Sequence, residues 1–405
     1  MKAILLCAGK STRTHPLTVT KPKPLLTAAN ETLLEHNLEQ LTGLVDEAII
    51  IVGFLGEQIK ERFGSSFSGI KLSYVEQKEQ LGTAHALAQC EDALLGRGSG
   101  RQAGKFIVMM GDDLYSRQDV ERCVKHGYCI LGKEVEDPKR FGVISMEGGR
   151  MTGLVEKPAD PPSNLANTGL YVLDGKIFPI IRNLKKSERG EYELTDALAE
   201  LARKENVSVE LVKGYWLPIG YPWSLLEANE VLLKVRKSFT MEGEVEKGAT
   251  LKGHVEIGKG SVVRAGSYIE GPVIIGEGCE IGPNCHLRPF TSIGNGCTVG
   301  NCTDVKNSII MDGAKVPHLS YVGDSVIGES ANIGGGSMIA NLRHDDENVK
   351  SMVNGQLVDT GRRKFGTAIG DGARLGAGTI IYPGRKIWPG KTTKPGEVVK
   401  EDISG

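Results

Sequence analysis

An aliphatic residue recurs every six positions through much of the second part of this 405-residue chain. Neither an α-helix nor an ordinary β-strand has this period, whereas a parallel β-helix has one short strand per hexad and about three hexads per triangular coil. More than half of the 53 glycines follow residue 240, as expected where every coil turns three corners. The repeat therefore predicts a parallel β-helix. Its aliphatic positions are Val245, Leu251, Ile257, Val263, Ile269, Ile275, Ile281, Leu287, Ile293, Val299, Val305 and Met311.

The repeat breaks at two places, and loops that leave a repeat are where binding residues concentrate. We expect a four-residue insertion at residues 317–320 before the register resumes at Tyr321, and a longer loop at residues 341–367. After Ile387 we expect the repeat to fade into a polar cap. His318 lies in the first break, and an ordinary imidazole pKa near 6.5 suits a general base.

The first 240 residues alternate short apolar runs with amphipathic stretches. This alternation predicts a parallel sheet with right-handed crossovers, in which ligands bind at the carboxyl ends of the strands. We therefore predict an α/β domain ahead of the β-helix. Its predicted strands cover residues 2–7, 47–52, 70–75 and 105–110, and its predicted helices cover residues 33–41, 56–63 and 83–95.

The first predicted strand ends in a turn of small residues around Ala8 and Gly9. The backbone N–H groups of such a turn can surround phosphate oxygens, and Arg13 can add a bidentate contact. Ten residues later, two prolines stiffen a segment that carries Lys21 and Lys23. An ordinary strand-to-helix turn followed by a solvated basic stretch accounts for these residues equally well, so the segment alone leaves both interpretations open.

Charge and composition exclude several classes of function. The chain has 49 Lys and Arg against 50 Asp and Glu, a formal net charge of −1, which argues against bulk binding to nucleic acid or to an anionic membrane. No apolar run approaches the 18 or so residues that a membrane span needs. We expect a cytoplasmic protein without membrane or nucleic-acid partners. Eight cysteines without a C-x-x-C pair do not predict a metal site, and we expect Cys279, Cys285 and Cys297 to face the interior of the β-helix.

Seven ordered segments of the first part resemble the signature of the sugar-1-phosphate nucleotidylyltransferases. They cover residues 6–24, 77–86, 110–112, 141–143, 156–158, 167–171 and 192–196. In that family a sugar 1-phosphate oxygen attacks the α-phosphorus of a nucleoside triphosphate and pyrophosphate leaves. The resemblance implies nucleotide binding by Ala8, Gly9, Gln77, Gly82 and Thr83, catalytic phosphate contacts from Arg13 and Lys23, a Mg²⁺ ligand in Asp112, and sugar-phosphate binding by Gly142, Glu156 and Asn167.

One residue departs from this family in a way that concerns the metal. The second metal carboxylate of the family falls in a W-x-D-x-G segment, and this chain has Pro218 at the position of the aspartate. Proline offers no side-chain ligand, so Asp112 would need water, nucleotide phosphates or a neighbour such as Asp113 to complete an octahedral Mg²⁺ shell.

The repeat region resembles the hexapeptide-repeat acyltransferases, and within them the acetyltransferase half of the bifunctional N-acetylglucosamine-1-phosphate uridyltransferases. The matching segments are residues 287–289, 305–306, 318–324 and 332–336, together with Asn341. The resemblance implies a left-handed β-helix that forms a homotrimer, with His318 as the base that deprotonates a sugar amine. It also implies sugar-phosphate binding by Arg288, Lys306, Tyr321 and Asn332, and acetyl-CoA binding by Gly335, Asn341 and Lys350.

The whole chain is similar to the archaeal two-domain sugar-1-phosphate nucleotidylyltransferase/acetyltransferases. The resemblance implies a Rossmann-like nucleotidylyltransferase domain at residues 1–224, a linker helix at 225–240 and a β-helix at 241–405. It implies acetylation of glucosamine 1-phosphate by acetyl-CoA, and Mg²⁺-dependent nucleotidyl transfer from UTP or dTTP to a sugar 1-phosphate. Two alternatives stay open: only the acetyltransferase is active because of Pro218, or the protein is a non-catalytic nucleotide-sugar-binding regulator or scaffold.

Overall fold

The computed structural model describes residues 1–95 and 104–404. It forms two compact units that do not follow the chain strictly in order. The first unit contains Met1–Lys10, Pro22–Leu25 and Leu33–Pro218, and the second contains Ser11–Lys21, Leu26–Thr32 and Ile219–Gly405. Within the described residues, every helix is too short or too polar to cross a membrane. The division into domains at residues 224 and 240 remains a proposal.

The first unit is built around a ten-stranded mixed sheet. The strand Lys2–Cys7 pairs in parallel with Glu47–Val52 and with Phe106–Met110, so the predicted parallel pairing of these strands is confirmed, while other strands of the same sheet pair antiparallel. Alternate residues of its strands point to opposite faces. Their side chains form a separate apolar core on each side of the sheet. In spatial order the strands are Gly142–Glu147, Arg150–Glu156, Val207–Leu211, Tyr128–Glu134, Leu165–Leu173, Phe106–Met110, Lys2–Cys7, Glu47–Val52, Ile70–Glu76 and Ser66–Phe67.

Helices cover both faces of this sheet, as buried parallel strands require. The predicted helices Leu33–Leu41 and Gly56–Phe63 are confirmed. The prediction of one helix over residues 83–95 is wrong, because the chain forms Thr83–Ala88 and Glu91–Leu95 with a tight turn between them. In that turn the Gln89 N–H donates to the Ala86 carbonyl, three residues back. The remaining α-helices of the described residues are Arg117–Cys123, Ile177–Arg182 and Leu194–Lys204, with Ser224–Val235 in the second unit.

The second unit contains three parallel sheets, which form the three faces of a parallel β-helix. The first face contains Glu244–Val245, Val262–Val263, Glu280–Ile281, Thr298–Asn301 and Lys315–His318. The second face contains Thr250–Lys252, Tyr268–Glu270, His286–Leu287, Asp304–Lys306, Tyr321–Gly323, Met338–Ile339, Ile380–Ile381 and Val398–Val399. The third face contains Val255–Ile257, Val273–Ile275, Thr291–Ile293, Ile309–Ile310, Val326–Ile327, Thr367–Ile369 and Arg385–Ile387. The left-handed sense of the coil remains a prediction.

The aliphatic repeat positions stack one above another inside the prism. Ile257 pairs with Ile275, and Ile275 with Ile293, each one coil further along. Their side chains are almost completely buried and form one continuous apolar core. Cys279, Cys285 and Cys297 belong to the same core and are free thiols, which confirms their predicted inward orientation.

The predicted four-residue insertion at residues 317–320 is wrong. Ile293 pairs with Ile310 rather than with Met311, and Val305 pairs with Val322 rather than with Tyr321. The register therefore loses one residue after Val305, and Asn307, with φ of 44°, lies in this shortened corner. His318 consequently lies at the end of a regular strand of the first face, and Tyr321 points outward from the second.

The later part of the repeat also departs from expectation. A loop does leave the prism over residues 341–367, and it carries the antiparallel hairpin Lys350–Val353 and Gln356–Asp359. The predicted fading of the repeat after Ile387 is wrong, because Val398–Val399 pairs with Ile380–Ile381 as a further strand of the second face. The Val399 side chain is buried in the core, so the prism continues almost to the carboxyl terminus.

Candidate functional site

Two of the predicted residues of the first unit meet in an ion pair. The Lys23 Nζ lies 2.8 Å from Asp112 Oδ2, and the lysine is buried while its partner is partly open. Lys23 begins a short 3₁₀-helix, and Asp112 follows the strand Phe106–Met110. A cation and a carboxylate are thus held together just past the carboxyl end of a central strand, where parallel sheets bind ligands.

The turn after the first strand has the conformation that its small residues allow. Ala8 is buried and Gly9 is exposed, so the backbone leaves the sheet between them. Ser11, at φ 51°, begins the second unit and precedes a single 3₁₀ turn. Arg13 lies in that turn, exposed, with its guanidinium carbon 5.7 Å from the centre of the Tyr221 ring. This stacking orients a guanidinium without consuming its hydrogen bonds.

Gln77, Gly82 and Thr83 form one connected group. The Gln77 amide donates to the Gly82 carbonyl at 3.1 Å and lies 3.0 Å from His85 Nδ1. Gly82 has φ of 114°, and a Cβ there would lie 2.5 Å from the Tyr192 carbonyl oxygen. Thr83 accepts a hydrogen bond from the Leu194 N–H. A buried amide therefore lies beside a backbone that only glycine can adopt, an arrangement suited to recognising the edge of a flat polar ring.

The three predicted sugar-binding residues also lie together. A Cβ added to Gly142 would lie 3.0 Å from Glu156 Oε2 and 3.4 Å from the Asn167 Cβ. The same hypothetical atom would lie 3.1 Å from Thr195, whose buried hydroxyl has no hydrogen-bond partner among the described residues. The glycine thus lets the Glu156 carboxylate and the side chains of Asn167 and Thr195 approach the backbone closely. Sequence reasoning quoted Thr195 only as part of a motif and assigned it no role.

Two cations lie at the Glu156 carboxylate of this group. Arg189 Nη1 is 3.1 Å from Glu156 Oε1, and the Lys157 ammonium is 3.7 Å from the same oxygen. Burial raises the pKa of Tyr171, whose hydroxyl accepts a 2.7 Å hydrogen bond from the Asn167 amide. Sequence reasoning missed Arg189 because it lies 33 positions from Glu156 along the chain.

Pro218 lies opposite an acidic residue. The strand Trp216–Pro218 pairs antiparallel with Asp113–Tyr115, and Pro218 is the direct partner of Asp113. Side chains of directly opposed residues lie on the same face of such a ribbon. Asp113 Oδ2 accepts a 3.1 Å hydrogen bond from the Trp216 indole. The face that lacks a carboxylate at position 218 therefore carries one at position 113.

In the second unit, His318 is the exposed end of a strand. Among the described residues, neither ring nitrogen of His318 has a hydrogen-bond partner, while its carbonyl accepts bonds from Gly336 N and Ser320 Oγ. A Cβ on Gly335 would lie 3.4 Å from the His318 Cβ and 3.5 Å from its Cδ2, so the backbone of Gly335 lies directly beside the ring. An unengaged imidazole next to an open backbone is suited to taking a proton from a ligand.

Polar residues of consecutive coils meet on the second face. Tyr321 follows Asp304 in the ladder, and Lys306 is paired with Gly323. The Asn341 amide donates to the Tyr321 hydroxyl at 3.1 Å. Burial lowers the pKa of Lys306, an effect that Lys364 and Arg288 reinforce and Asp324 opposes. Burial raises the pKa of Tyr321.

Three cations thus lie close together on this surface. Sequence reasoning predicted Arg288 and Lys306, and the structure adds Lys364. Arg288 lies 3.8 Å from Asp304, which leaves most of its N–H groups for a ligand. Asn332 lies on the other side of the coil corner, paired through its backbone with Lys315 and Arg374. The structure therefore brings Arg288, Lys306, Tyr321 and Asn341 together, and it leaves Asn332 apart from that group.

Lys350 lines a separate basic pocket. The pocket holds about 250 Å³ and is lined by Arg343, Lys350, Tyr382, Pro383, Arg385 and Lys400. Arg343 is paired with Asp345, whereas the ammonium groups of Lys350 and Lys400 have no carboxylate within 4.0 Å among the described residues. Four cations and one aromatic ring in so small a space favour a ligand with several phosphates and a planar base.

Family models and named relatives match both parts of this chain. A family model described as nucleotidyl transferase matches residues 2–235, and one described as GMPPB C-terminal domain matches residues 269–396. A protein of Methanocaldococcus jannaschii named bifunctional protein GlmU is 40% identical over 92% of this chain and 88% of its own length. A protein of Sulfurisphaera tokodaii named bifunctional sugar-1-phosphate nucleotidylyltransferase/acetyltransferase is 38% identical over 92% of this chain and 91% of its own.

Solved structures also resemble this chain over part of its length. UDP-glucose pyrophosphorylase complexed with UDP-glucose has a TM-score of 0.51 at 27% identity, and covers 58% of this chain and 99% of its own. A putative glucose-1-phosphate thymidylyltransferase from Bacillus anthracis has a TM-score of 0.52 at 30% identity, and covers 59% of this chain and 97% of its own.

Proposed function

Because this chain belongs to the nucleotidyl transferase family, we propose that it makes a UDP-N-acetylglucosamine-type nucleotide sugar in two steps. Its relatives over nine-tenths of the chain are named for two activities. The chain is accordingly an enzyme of nucleotide-sugar synthesis with nucleotidyltransferase and acetyltransferase activities. These relatives do not favour the alternatives of a scaffold or of an acetyltransferase alone. The proposal adds the substrates and the residues that act on them.

The first step is acetyl transfer to glucosamine 1-phosphate. The sugar amine attacks the thioester carbon of acetyl-CoA, the carbon–sulfur bond breaks, and the amine proton passes through His318 to the departing thiolate. Arg288, Lys306 and Lys364 bind the sugar phosphate, while Tyr321 and Asn341 orient the amine. The unengaged imidazole of His318 beside Gly335 is the observation that carries this assignment.

The basic pocket supports the choice of acetyl-CoA as donor. CoA carries a diphosphate and a 3′-phosphate on adenosine, and its adenine can stack on Tyr382, which is 46% exposed. The unpaired ammonium groups of Lys350 and Lys400 supply charge for those phosphates. This assigns the adenosine end of the donor to the pocket lined by Arg343, Lys350, Arg385 and Lys400.

The second step is nucleotidyl transfer from UTP or dTTP. An oxygen of the N-acetylated sugar 1-phosphate attacks the α-phosphorus, and the bond to the β-phosphate oxygen breaks to release pyrophosphate. Lys23 and Arg13 neutralise charge on the phosphates, Gln77 recognises the base, and Glu156, Asn167 and Thr195 bind the sugar hydroxyls. Such chemistry depends mainly on positioning and charge.

The residues present fit Mg²⁺ with a single carboxylate ligand. Lys23 engages Asp112 Oδ2, so the other oxygen of this half-open carboxylate can bind a cation. Pro218 supplies no ligand, and water or nucleotide oxygens would complete the shell. When bound, Mg²⁺ neutralises charge on the triphosphate and on the leaving pyrophosphate.

An exposed apolar column supports a homotrimer. Met338, Ile380 and Val398 lie in register on the second face and are 47%, 40% and 42% exposed. Monomeric surfaces seldom carry such a continuous apolar strip, and two further copies arranged around a threefold axis would cover it.

The experiment that tests the proposed function is a substrate panel. The purified protein is given acetyl-CoA with amino-sugar 1-phosphates, and UTP or dTTP with Mg²⁺ and N-acetylated or plain sugar 1-phosphates. We expect free thiol with glucosamine 1-phosphate and pyrophosphate with N-acetylglucosamine 1-phosphate. If neither product forms with any member of the panel, the proposed function is wrong.

A further inference from the structure

A buried carboxylate lies beneath the polar residues of the second face. Asp324 is 3% exposed, and each of its oxygens accepts a hydrogen bond from an amide. Asn307 Nδ2 donates to Oδ1 at 2.7 Å, and Asn341 Nδ2 donates to Oδ2 at 2.6 Å. The Lys306 ammonium lies 3.8 Å from Oδ2. One carboxylate therefore contacts side chains from both neighbouring coils, Lys306 and Asn307 from the preceding one and Asn341 from the following one.

The distribution of protons in this group fixes the orientation of Asn341. A carboxylate without a proton can only accept, so the side of Asn341 that faces Asp324 must be its NH₂ group. The second hydrogen of that group goes to the Tyr321 hydroxyl at 3.1 Å. Both N–H bonds are then used inside the protein. What Asn341 has left for a ligand is its amide oxygen, and what Tyr321 has left is its own hydroxyl proton.

The backbone of Gly323 makes this arrangement tight. A Cβ there would lie 2.5 Å from both the Asn341 Nδ2 and the Tyr321 Oη. The two side chains therefore close directly over the glycine.

The fold does not depend on the carboxylate to hold this strand. The Asp324 N–H donates to the Lys306 carbonyl, and the Asp324 carbonyl accepts from Gly366 N, each at 2.9 Å. These backbone bonds join the coils whatever the side chain is. Burying a carboxylate is costly unless its neighbours satisfy it, and here the neighbours include residues of the proposed acetyltransferase site.

We propose that Asp324 is a positioning residue for acetyl transfer, and this inference rests on the proposed function. Its carboxylate holds the Asn341 NH₂ group so that the amide oxygen of Asn341 accepts a hydrogen bond from the substrate amine. The Tyr321 hydroxyl, already accepting from Asn341, donates its proton to the substrate. The Asp324 carboxylate also lies 3.8 Å from the Lys306 ammonium, the cation proposed to bind the sugar phosphate.

The test is the isosteric substitution Asp324→Asn. The substituted side chain keeps one accepting oxygen and has an NH₂ group, which only donates, in place of the oxygen that faced Asn341. Asn341 then turns and offers N–H instead of oxygen to an amine that needs an acceptor. We expect kcat/KM for acetyl transfer to fall about 10- to 100-fold, as for losing a hydrogen bond to a charged group. The KM for the amino-sugar phosphate should rise, while the KM for acetyl-CoA and the nucleotidyl transfer rate stay unchanged. Asp312→Asn is the matched control, because Asp312 is an exposed carboxylate that accepts from Asn295 N elsewhere on the prism.

A double variant separates positioning from mere support of the fold. In Asp324→Asn with Asn341→Asp, an amide again faces a carboxylate and position 341 still presents an oxygen. We expect the double variant to regain part of the kcat/KM that Asp324→Asn loses. Asn341→Asp alone places one carboxylate against another, so we expect its kcat/KM to stay low. If Asp324→Asn loses its cooperative thermal transition, a folded double variant with no acetyl transfer overturns the inference. A folded Asp324→Asn variant with unchanged kinetic constants also overturns the inference, while the proposed function stands. If the unsubstituted protein shows no acetyl transfer, both the inference and the proposed function are wrong.

Discussion

The two units place their polar side chains by different means. In the first unit, the site residues come from the ends of separate strands and depend on unusual backbone at single positions, such as φ of 114° at Gly82 and of 44° at Lys157. In the second unit, Lys306 and Tyr321 lie on neighbouring strands of the second face, where register brings them together. His318 lies on the first face, and Asn341 and Lys364 belong to the segment that leaves the prism. In the first unit, a substitution can therefore alter one site residue without displacing the others. In the second unit, a shift of the register displaces all the site residues of a face together.

The two sites also differ in how complete they are. Around Asp324 the structure joins Lys306, Asn307 and Asn341 through one carboxylate. Around Asp112 it shows one ion pair with Lys23, and a proline at the position where the resemblance implies a second carboxylate. The comparison predicts an acetyltransferase site that is sensitive to loss of any member, and a nucleotidyltransferase site that can still be improved.

The largest expected effect is a separation of the two activities. His318→Ala removes the proposed base, so acetyl transfer should fall by about 10²- to 10⁴-fold, the usual contribution of a positioned base. Pyrophosphate release should be unchanged when N-acetylglucosamine 1-phosphate is supplied as the substrate. Thiol and pyrophosphate assays on the same preparation measure both.

Lys23→Ala is the reciprocal control. Loss of a positioned charge at the phosphates should slow pyrophosphate release by about 10²- to 10³-fold and leave thiol release intact. If either substitution removed both activities, the two sites could not be independent.

A smaller effect in the opposite direction is expected at position 218. Pro218→Asp restores a carboxylate on the ribbon face that Asp113 shares, so Mg²⁺ should bind more tightly by about tenfold, the lower end of what a supporting group in a metal site contributes. Titration of pyrophosphate release with Mg²⁺ measures this. Pro218→Asn, which offers a neutral oxygen, is the matched control. An unchanged Mg²⁺ dependence in both would mean that the missing carboxylate is supplied elsewhere.

The smallest effect is expected in the basic pocket. Lys400→Ala should raise the KM for acetyl-CoA about two- to fivefold, the contribution of an exposed ion pair, and the effect should shrink at high salt. Lys259→Ala, an exposed lysine outside the pocket, should leave the KM unchanged. Equal effects of the two substitutions would remove the pocket from the acetyl-CoA site.

The sequence predicted the architecture because its periods are strong. Six-residue spacing has no other common structural cause, and the strand ends of the first unit carry recognisable segments. The register after Val305 was not predictable, because Ile309, Ile310 and Met311 are all aliphatic and any of them could face inward. Choosing Met311 created the false insertion at residues 317–320, and with it the wrong surroundings for His318.

Contacts between distant parts of the chain were equally hidden. Asp324 meets Asn307 and Asn341 because each is 17 residues away, which is one turn of a prism whose local register had to be known first. Arg189 reaches Glu156 from a loop that has no motif of its own. The buried, unpartnered hydroxyl of Thr195 is a property of packing, and only its place in a recognised segment could have suggested it.

The most direct test of the account is a single reaction that contains the unsubstituted protein, glucosamine 1-phosphate, acetyl-CoA, UTP and Mg²⁺. Two active sites on one chain predict that free thiol appears first and that pyrophosphate follows as the acetylated sugar phosphate accumulates. Thiol without any pyrophosphate would contradict the account, because it would mean that the chain with Pro218 carries only one working site.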